Sequence, residues 1–315
     1  MASNFIRSVG QILRSTIYQN EGVTIMTIEK QNSFGGLIAI DLFLGGAGAG
    51  IFFISFIMDL MNRFQNITKI GAITGLILVL MGTLILFFDL GSKSRLYRLF
   101  INPSSWVTRG TFFITGFVIF GIAYSVFSWS LFGWTLLDKT TLLGKVVGGI
   151  AAFFSFMTML YTGMLFSTMK RIPIWNTPIL PLLFFFSSLY TAMAFLLLIG
   201  GLLVGIPIED LHVLSMIEIT FILLQLLLLG VFLWASGYNT TTTAESIRLL
   251  KKPLFNIGVI IVGLIIPLGL LIYYNVVDNG SMLTILLAAL LLIEGGFLGR
   301  YCIIKAGIRF PLHTV

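Results

Sequence analysis

The sequence predicts an all-α integral membrane protein with eight transmembrane helices. Of its 315 residues, 57% are hydrophobic and only 10% are charged, whereas about a quarter of the residues of a soluble domain are charged. The mean hydropathy of +1.04 agrees with this composition. At roughly 20 apolar residues per span, the chain accommodates about eight spans with short connections. A water-soluble enzyme is therefore excluded.

Residues 1–33 are predicted to form an N-terminal segment outside the membrane, without a secretory signal. Polar and charged side chains interrupt each short apolar run of this segment, whereas a signal peptide needs an apolar core of about 7 to 15 residues. Between Phe5 and Tyr18 the apolar residues recur near helical spacing around Arg7 and Arg14. This pattern favours an interfacial helix, with a frayed tail as the alternative.

Apolar runs between polar breaks predict the eight helices within residues 34–304, followed by a tail at 305–315. The predicted spans are 34–60, 70–88, 107–134, 142–169, 179–206, 211–235, 255–274 and 281–304. An even number of spans places both ends of the chain on one side of the membrane. We call this side face A and the opposite side face B.

Basic residues divide unequally between the two faces. Face A receives fifteen of the 19 Lys and Arg residues, and face B receives the other four, which are Arg63, Lys69, Lys139 and Lys145. Because cationic loops are rarely translocated, face A and both termini are expected in the cytoplasm. Topology alone accounts for these cations, and a docking surface for a soluble partner or for anionic lipid is the alternative.

Three carboxylates lie inside the predicted spans: Asp41 in the first, Glu218 in the sixth and Glu294 in the eighth. Asp41 lies one turn before Gly45 on the same face of the first helix and is therefore expected to point into the bundle; the nearby Gly46 and Gly50 form a close-packing GxxxG pair. A charged carboxylate is costly within a bilayer unless it is partnered. The three acids predict a staggered route for proton transfer, and the alternative is that each one hydrogen-bonds a neighbouring helix.

Metal ligands are scarce in this chain. A single cysteine, Cys302, cannot hold an iron–sulfur cluster, which takes about four thiolates. Only two histidines are present, His212 and His313, and the second lies in the tail, so a haem held by paired histidines inside the membrane is excluded. We predict no haem, no iron–sulfur cluster and no metal bound by this chain. His212 is interpreted as an interfacial residue, with a proton relay as the alternative.

Tyr161, near the face A end of the fourth predicted span, is a candidate for binding a flat apolar ligand. A quinone head group needs hydrogen-bond donors at its carbonyl oxygens, apolar walls and an opening to lipid. The Tyr161 hydroxyl supplies one such donor. Ordinary packing is the alternative, since 14% of the residues are aromatic.

Three stretches resemble the NrfD/PsrC-like membrane subunits of polysulfide, nitrite and related respiratory oxidoreductases. They are 38–50 (IAIDLFLGGAGAG), 89–109 (DLGSKSRLYRLFINPSSWVTR) and 161–183 (YTGMLFSTMKRIPIWNTPILPLL). The resemblance implies two four-helix bundles without a redox centre in a prokaryotic inner membrane. It also implies electron exchange between a quinone, with menaquinone as the expected one, and a ferredoxin-like iron–sulfur subunit, which is attached to a molybdenum or haem catalytic subunit.

The resemblance also implies where the quinone binds. In the family, the head group lies between the segment before the first helix and a tyrosine of the fourth. These positions match Asn32 and Tyr161 here, with Asp41 as the nearby proton acceptor. The family's histidine is absent from the segment before the first helix, so Gln31 or Lys30 is the alternative contact.

The matching stretches also imply a docking surface for the iron–sulfur partner on face A. The predicted docking residues are Arg95, Arg98, Arg109, Trp175 and Asn176. Loop capping and contact with lipid head groups form the alternative. Many relatives have exported partners, whereas the charge distribution places face A in the cytoplasm.

Two other functions fit a helical membrane protein with buried acids. A secondary transporter is expected to carry paired interrupted helices in its two halves, but Pro267 in the seventh predicted span has no counterpart in the third. A purely structural anchor for a soluble enzyme is the other alternative. No feature of the sequence suggests nucleic-acid binding.

Overall fold

The computed structural model describes residues 29–30, 35–89, 104–129, 141–237, 241–277 and 281–309. Within these ranges the chain is almost entirely helical, which confirms the predicted fold class. Eight continuous helical spans within these ranges, two of which include π-helical turns, are long and apolar enough to cross a membrane. The chain is therefore a multi-pass membrane protein.

The described elements follow one another as helices with two very short strands. In chain order they are β1 (Glu29–Lys30), α1 (Gly36–Leu60), α2 (Gln65–Asp89), α3 (Trp106–Trp129), α4 (Leu142–Ser167), α5 (Ile179–Leu198), α6 (Ile208–Gly237), α7 (Thr241–Leu250), α8 (Ile266–Val276), α9 (Met282–Lys305) and β2 (Ile308–Arg309). Two π-helical segments complete the spans: Ile199–Val204 continues α5, and Leu254–Ile265 leads into α8.

Several helices are longer than their apolar runs. Helix α2 begins at Gln65 instead of the predicted 70, and α6 begins at Ile208 instead of 211. The first turn of α6 carries Glu209 and Asp210, and acidic side chains there interact favourably with the helix dipole. Hydropathy finds only the part of a helix that lies in lipid, so the polar first turns were missed.

The connection between the sixth and seventh spans contains a helix that the hydropathy pattern did not predict. Helix α7 is amphipathic: Thr243, Ser246, Ile247 and Leu250 are buried, whereas the Arg248 side chain is exposed. Its average composition is polar, so only the helical period of its few apolar residues reveals it. It lies on face A, because α6 ends and the next span begins there.

The wider π-helical turns of Leu254–Ile265 end just before Pro267 at the start of α8. Proline cannot donate a backbone N–H, and irregular turns commonly precede it. Within this segment Gly263 contacts the backbone of Gly295 on α9, and a Cβ at either position would overlap the other glycine. The seventh span and α9 therefore pack backbone to backbone.

Contacts between helices follow two closed circuits. Helices α1 to α4 form one circuit, in which each contacts the next and α4 returns to α1; α5, α6, the seventh span and α9 form the other. Helices α1 and α5 join the two circuits and are the most buried spans, each 72% buried. The contacts are consistent with two four-helix bundles, a division that stays a prediction.

Strands β1 and β2 pair antiparallel, with Glu29 opposite Arg309 and Lys30 opposite Ile308. This short ladder joins the segment that leads into α1 to the residues that follow α9. Since α1 begins and α9 ends at face A, the pairing agrees with the prediction that both chain ends lie on one side.

Candidate functional site

Asp41 lies in the second turn of α1, close to face A, and its side chain is 7% exposed. It faces Gly82 of α2. A Cβ at Gly82 would lie 3.2 Å from both the main-chain oxygen and Oδ1 of Asp41, which is tighter than usual packing. The absence of a side chain at Gly82 therefore leaves room for the carboxylate between α1 and α2.

Tyr161 lies in the last two turns of α4 and is 8% exposed. Its ring rests against Gly110 of α3, where any side chain would overlap the ring atoms. Tyr161 and Asp41 both lie near the face A ends of α4 and α1, and these two helices contact each other. The structure thus places two of the three residues predicted to bind a quinone at the same end of neighbouring helices. The third, Asn32, lies outside the described residues.

The predicted docking residues fall into three groups. Arg95 and Arg98 lie outside the described residues. Arg109 and Asn176 are exposed at face A, and the Arg109 guanidinium carbon lies 5.0 Å from the ring centroid of Trp106. Trp175 differs from both groups, because its side chain is fully buried.

Trp175 holds the connection between α4 and α5 against the end of α9. Its Nε1–H donates to the main-chain oxygen of Ile303 at 2.9 Å, and its ring packs edge-on against Phe166 at a centroid distance of 4.8 Å. A side chain with no exposed surface cannot contact a partner, so the predicted docking role of Trp175 is replaced by a structural one.

Glu218 lies in the middle part of α6 and has no exposed surface. Neither carboxylate oxygen of Glu218 has a hydrogen-bond partner among the described residues. Gln225 lies two turns further along the helix and is also buried, and its Oε1 has no hydrogen-bond partner among these residues either. Burying such groups without partners is costly. Glu218 and Gln225 therefore mark the interior between the helices of the second half as a polar region.

Arg300 is the residue that sequence reasoning misplaced. It was counted with the cations of face A, but it is only 1% exposed and lies between α9, α5 and α1. Its Nη2 donates to Ser188 Oγ at 2.8 Å, and its guanidinium carbon lies 5.7 Å from the ring centroid of Phe43. Nε and Nη1 have no partner among the described residues.

Gly46 makes this position of Arg300 possible. A Cβ at Gly46 would lie 2.6 Å from Ser188 Oγ and 2.7 Å from Arg300 Nη2. The GxxxG pair of α1 therefore accommodates a buried cation as well as a neighbouring helix. A usable signal was present in the sequence, because Arg300 lies inside the predicted span 281–304, where a cation is as costly as an acid.

A small cavity lies beside three of the polar groups. Its volume is about 10 Å³, and Arg300, Gln225 and Tyr190 line it together with mostly apolar side chains; this is about the smallest space that holds one water molecule. The buried Glu218 lies two turns before Gln225 on α6. Polar groups of α5, α6 and α9 thus form one cluster, which we call the buried polar cluster: Glu218, Tyr190, Gln225 and Arg300.

Glu294 does not belong to this cluster. It is exposed on the outer side of α9, in line with the exposed Leu283, Leu287 and Leu290. The structure therefore does not bring the three predicted acids into one interior route. Asp41 and Glu218 face the inside of the protein, whereas Glu294 faces away from it.

His212 lies at the face B end of α6 in a local hydrogen-bond network. Its Nδ1 is 3.0 Å from Oδ1 of Asn275, which also accepts from Ser215 Oγ at 3.1 Å, and its ring packs on Tyr274. These contacts favour the interpretation of His212 as an interfacial residue that joins α6 to α8.

Comparison with known proteins gives a consistent result over almost the whole sequence. A family model described as "Polysulphide reductase, NrfD" matches residues 25–311. The C chain of polysulfide reductase from Wolinella succinogenes is 29% identical over 87% of this sequence and 93% of its own length. The protein NrfD homolog of Haemophilus influenzae is 24% identical over 86% of this sequence and 92% of its own length.

Proposed function

Because this protein belongs to the polysulphide reductase NrfD family, we propose that it is the quinone-binding membrane subunit of a respiratory oxidoreductase. In this role it positions a quinone, with menaquinone as the expected one, near face A. Electrons pass between the quinone and an iron–sulfur partner, and the protein itself supplies no redox centre. The proposed location is a prokaryotic inner membrane, with both termini in the cytoplasm.

The observation that carries this proposal is the burial of Asp41 and Tyr161 near the face A ends of the contacting helices α1 and α4. A quinone takes up two electrons and two protons to become a quinol, so its site needs a hydrogen-bond donor and a group that exchanges protons. The Tyr161 hydroxyl is suited to donate to a quinone carbonyl oxygen, and the Asp41 carboxyl group is suited to deliver or accept the protons. Asn32 is the proposed third contact.

Two glycines hold these side chains in place. Asp41 packs closely against Gly82 and the Tyr161 ring packs closely against Gly110, and a side chain at either position would displace them. Both polar side chains retain a small exposed surface at the face A end of the spans. A hydrophobic ligand that diffuses in the bilayer reaches such a depth without crossing the membrane.

The proposed electron partner is a ferredoxin-like iron–sulfur subunit on face A, linked in turn to a molybdenum or haem catalytic subunit. Arg109 and Asn176 are exposed on this face, and Arg95 and Arg98 remain docking candidates from the sequence. The relative in Wolinella succinogenes is named as the C chain of a polysulfide reductase, which supports a complex of several subunits.

The variant Asp41→Asn tests the proposed site in the complex purified with its partners. Removing a group for proton exchange is expected to lower quinone-linked turnover by about 10²-fold, while the complex still assembles. The matched control is Asp59→Asn at the face B end of the same helix, where the carboxylate accepts from the Tyr124 hydroxyl at 2.6 Å. Equal turnover in both variants would remove Asp41 from the site and favour a structural anchor.

The buried polar cluster supports a second proposal, proton movement through the second half of the protein. Glu218, Tyr190 and Arg300 are all buried between α5, α6 and α9, and the cavity beside Arg300 and Gln225 has about the volume of one water molecule. Protonatable groups and water in the middle of a membrane are typical of proton pathways. In this proposal Arg300, Tyr190 and Gln225 replace Glu294 in the predicted route.

The variant Glu218→Gln tests this coupling in liposomes that contain the complex and a pH-sensitive dye. We expect fewer protons to move per electron while quinone-linked electron transfer continues. Glu209→Gln, in the first turn of the same helix, is the matched control. An unchanged proton-to-electron ratio in Glu218→Gln would show that turnover is electroneutral or limited to face A.

A further inference from the structure

A cleft opens on face A between the end of α7, the start of the seventh span and the end of α9. Its volume is about 280 Å³, and its lining includes Leu250, Leu254, Phe255, Tyr301, Lys252 and Lys305. The walls of the cleft are thus largely apolar. The turn after α7 contributes the ammonium group of Lys252, and the end of α9 contributes that of Lys305. This combination is distinct from the Asp41–Tyr161 pair and from the buried polar cluster.

The two lysines of the cleft carry charge that the rest of the described residues does not neutralise. Both are exposed, and neither forms a salt bridge with a carboxylate of the described residues. The Lys305 ammonium lies 6.0 Å from the ring centroid of Tyr301, which orients it along one wall. Lys251 adds a further cation next to Lys252.

An exposed apolar stripe continues from the cleft toward the middle of the seventh span. It consists of Leu254, Ile257, Ile261 and Ile265. Ile257, Ile261 and Ile265 recur every four residues and therefore follow one side of the π-helical segment, with Leu254 at its start. The cleft is thus continuous with a surface that suits an acyl chain, while its cations lie where lipid head groups are found.

We propose that this cleft binds an anionic phospholipid. The lipid phosphate lies between Lys252 and Lys305, and one acyl chain follows the stripe from Leu254 to Ile265. Basic pockets between helices on the cytoplasmic side of a membrane suit such head groups, because each nearby cation attracts the anionic lipid. A zwitterionic lipid carries a cationic group next to its phosphate, so the two lysines attract its head group less strongly. The inference depends on this being a membrane protein and not on the proposed quinone site.

A bound lipid would link three parts of the protein. Helix α7 contacts α6, α9 and β2, and the cleft separates α7 from α9. A phospholipid in the cleft fills this space and bridges the turn after α7 and the end of α9 through Lys252 and Lys305. We therefore expect a lipid bound in the cleft to stabilise the protein against unfolding.

The test uses the full-length protein, freed of lipid in detergent and then mixed with phosphatidylglycerol or with phosphatidylcholine. Native mass spectrometry counts bound lipids, and a thermal scan measures the shift in unfolding temperature. We expect phosphatidylglycerol to remain bound and to raise the unfolding temperature, with phosphatidylcholine giving a smaller shift. In the variant Lys252→Gln/Lys305→Gln, retention of phosphatidylglycerol should fall at least about fivefold.

The matched control is Lys170→Gln/Arg171→Gln, which removes the same charge from the exposed connection between α4 and α5 on the same face. This control should retain the lipid. An equal loss in both variants would mean that only the total charge of face A matters, and would overturn the assignment of a site. Equal binding of the two lipids would also overturn it.

Two further arms identify the occupant. Inorganic phosphate at millimolar concentration should not displace the lipid, because the acyl chain contributes binding that a free anion lacks; displacement would reduce the site to a phosphate site. If the Lys252→Gln/Lys305→Gln variant keeps its lipid but loses a copurifying subunit, the cleft docks a protein and the proposal is wrong.

Discussion

The Asp41–Tyr161 pair and the buried polar cluster place similar chemical groups in different surroundings. Asp41 and Tyr161 keep 7% and 8% of their surface exposed near face A, whereas Glu218 and Arg300 have 0% and 1%. Glycines of neighbouring helices pack closely against the first pair, and a cavity of about 10 Å³ adjoins Arg300 of the second. The two regions therefore differ in their depth from face A and in their exposure, and the proposed quinone site and proton route rest on this difference.

The largest expected effect concerns the charges of the buried polar cluster. Arg300→Met removes the buried guanidinium that donates to Ser188 Oγ at 2.8 Å, and a hydrogen bond from a charged group contributes about 1.5–3 kcal/mol. We expect a marked loss of thermal stability in detergent. The double variant Arg300→Met/Glu218→Gln should lose less than the sum of the two single variants, because it removes both charges.

A strictly additive double variant would contradict this interpretation of the cluster. Arg300→Lys is the conservative control, since it keeps the charge but not the planar arrangement of donors. It should preserve more stability than Arg300→Met.

A moderate effect is expected at the more accessible pair. Tyr161→Phe keeps the ring against Gly110 but removes the hydroxyl, and a hydrogen bond is worth about 1 kcal/mol. This corresponds to about a fivefold weaker affinity for the quinone, measured by titration of the purified complex with a quinol analogue. Stability should change little, because the packing of the ring is unaltered.

Tyr124→Phe is the matched control for that variant. The Tyr124 hydroxyl donates to Oδ2 of Asp59 at the face B end of α1, at the opposite end of that helix from the proposed site. Its loss should lower stability without changing quinone affinity. Unchanged affinity in Tyr161→Phe would place the head group elsewhere.

The smallest effect is expected at Glu294. Because this side chain is exposed on the outer side of α9, Glu294→Gln should change turnover and the number of protons moved per electron by less than about twofold. The same liposome measurement that tests Glu218→Gln provides the comparison. A tenfold loss in Glu294→Gln would return this residue to the proton route and weaken the distinction between interior and outer acids.

Much of the fold was predictable because the bilayer imposes long apolar helices. The eight spans, the inward direction of Asp41 and the burial of Glu218 all follow from hydropathy and helical spacing. Helix α7 was missed since its polar composition hides a short apolar period. Arg300 was missed since a cation near a helix end usually marks the membrane surface.

The site was less predictable, because it depends on which helices are neighbours. The pairing of Asp41 with Tyr161 requires contact between α1 and α4, and their glycine neighbours come from α2 and α3. Spacing within one helix cannot reveal such combinations. The burial of Trp175 had the same cause, because its partner Ile303 is 128 residues away in the sequence.

The two-residue ladder between β1 and β2 offers a local probe of the junction between α1 and α9. A ladder this short is marginal alone, and closing a loop of nearly the whole protein costs entropy. It therefore persists only while the two helices hold its strands together. Amide hydrogen exchange at Lys30 and Ile308 should accordingly report small separations of α1 from α9 well before any transmembrane helix unfolds.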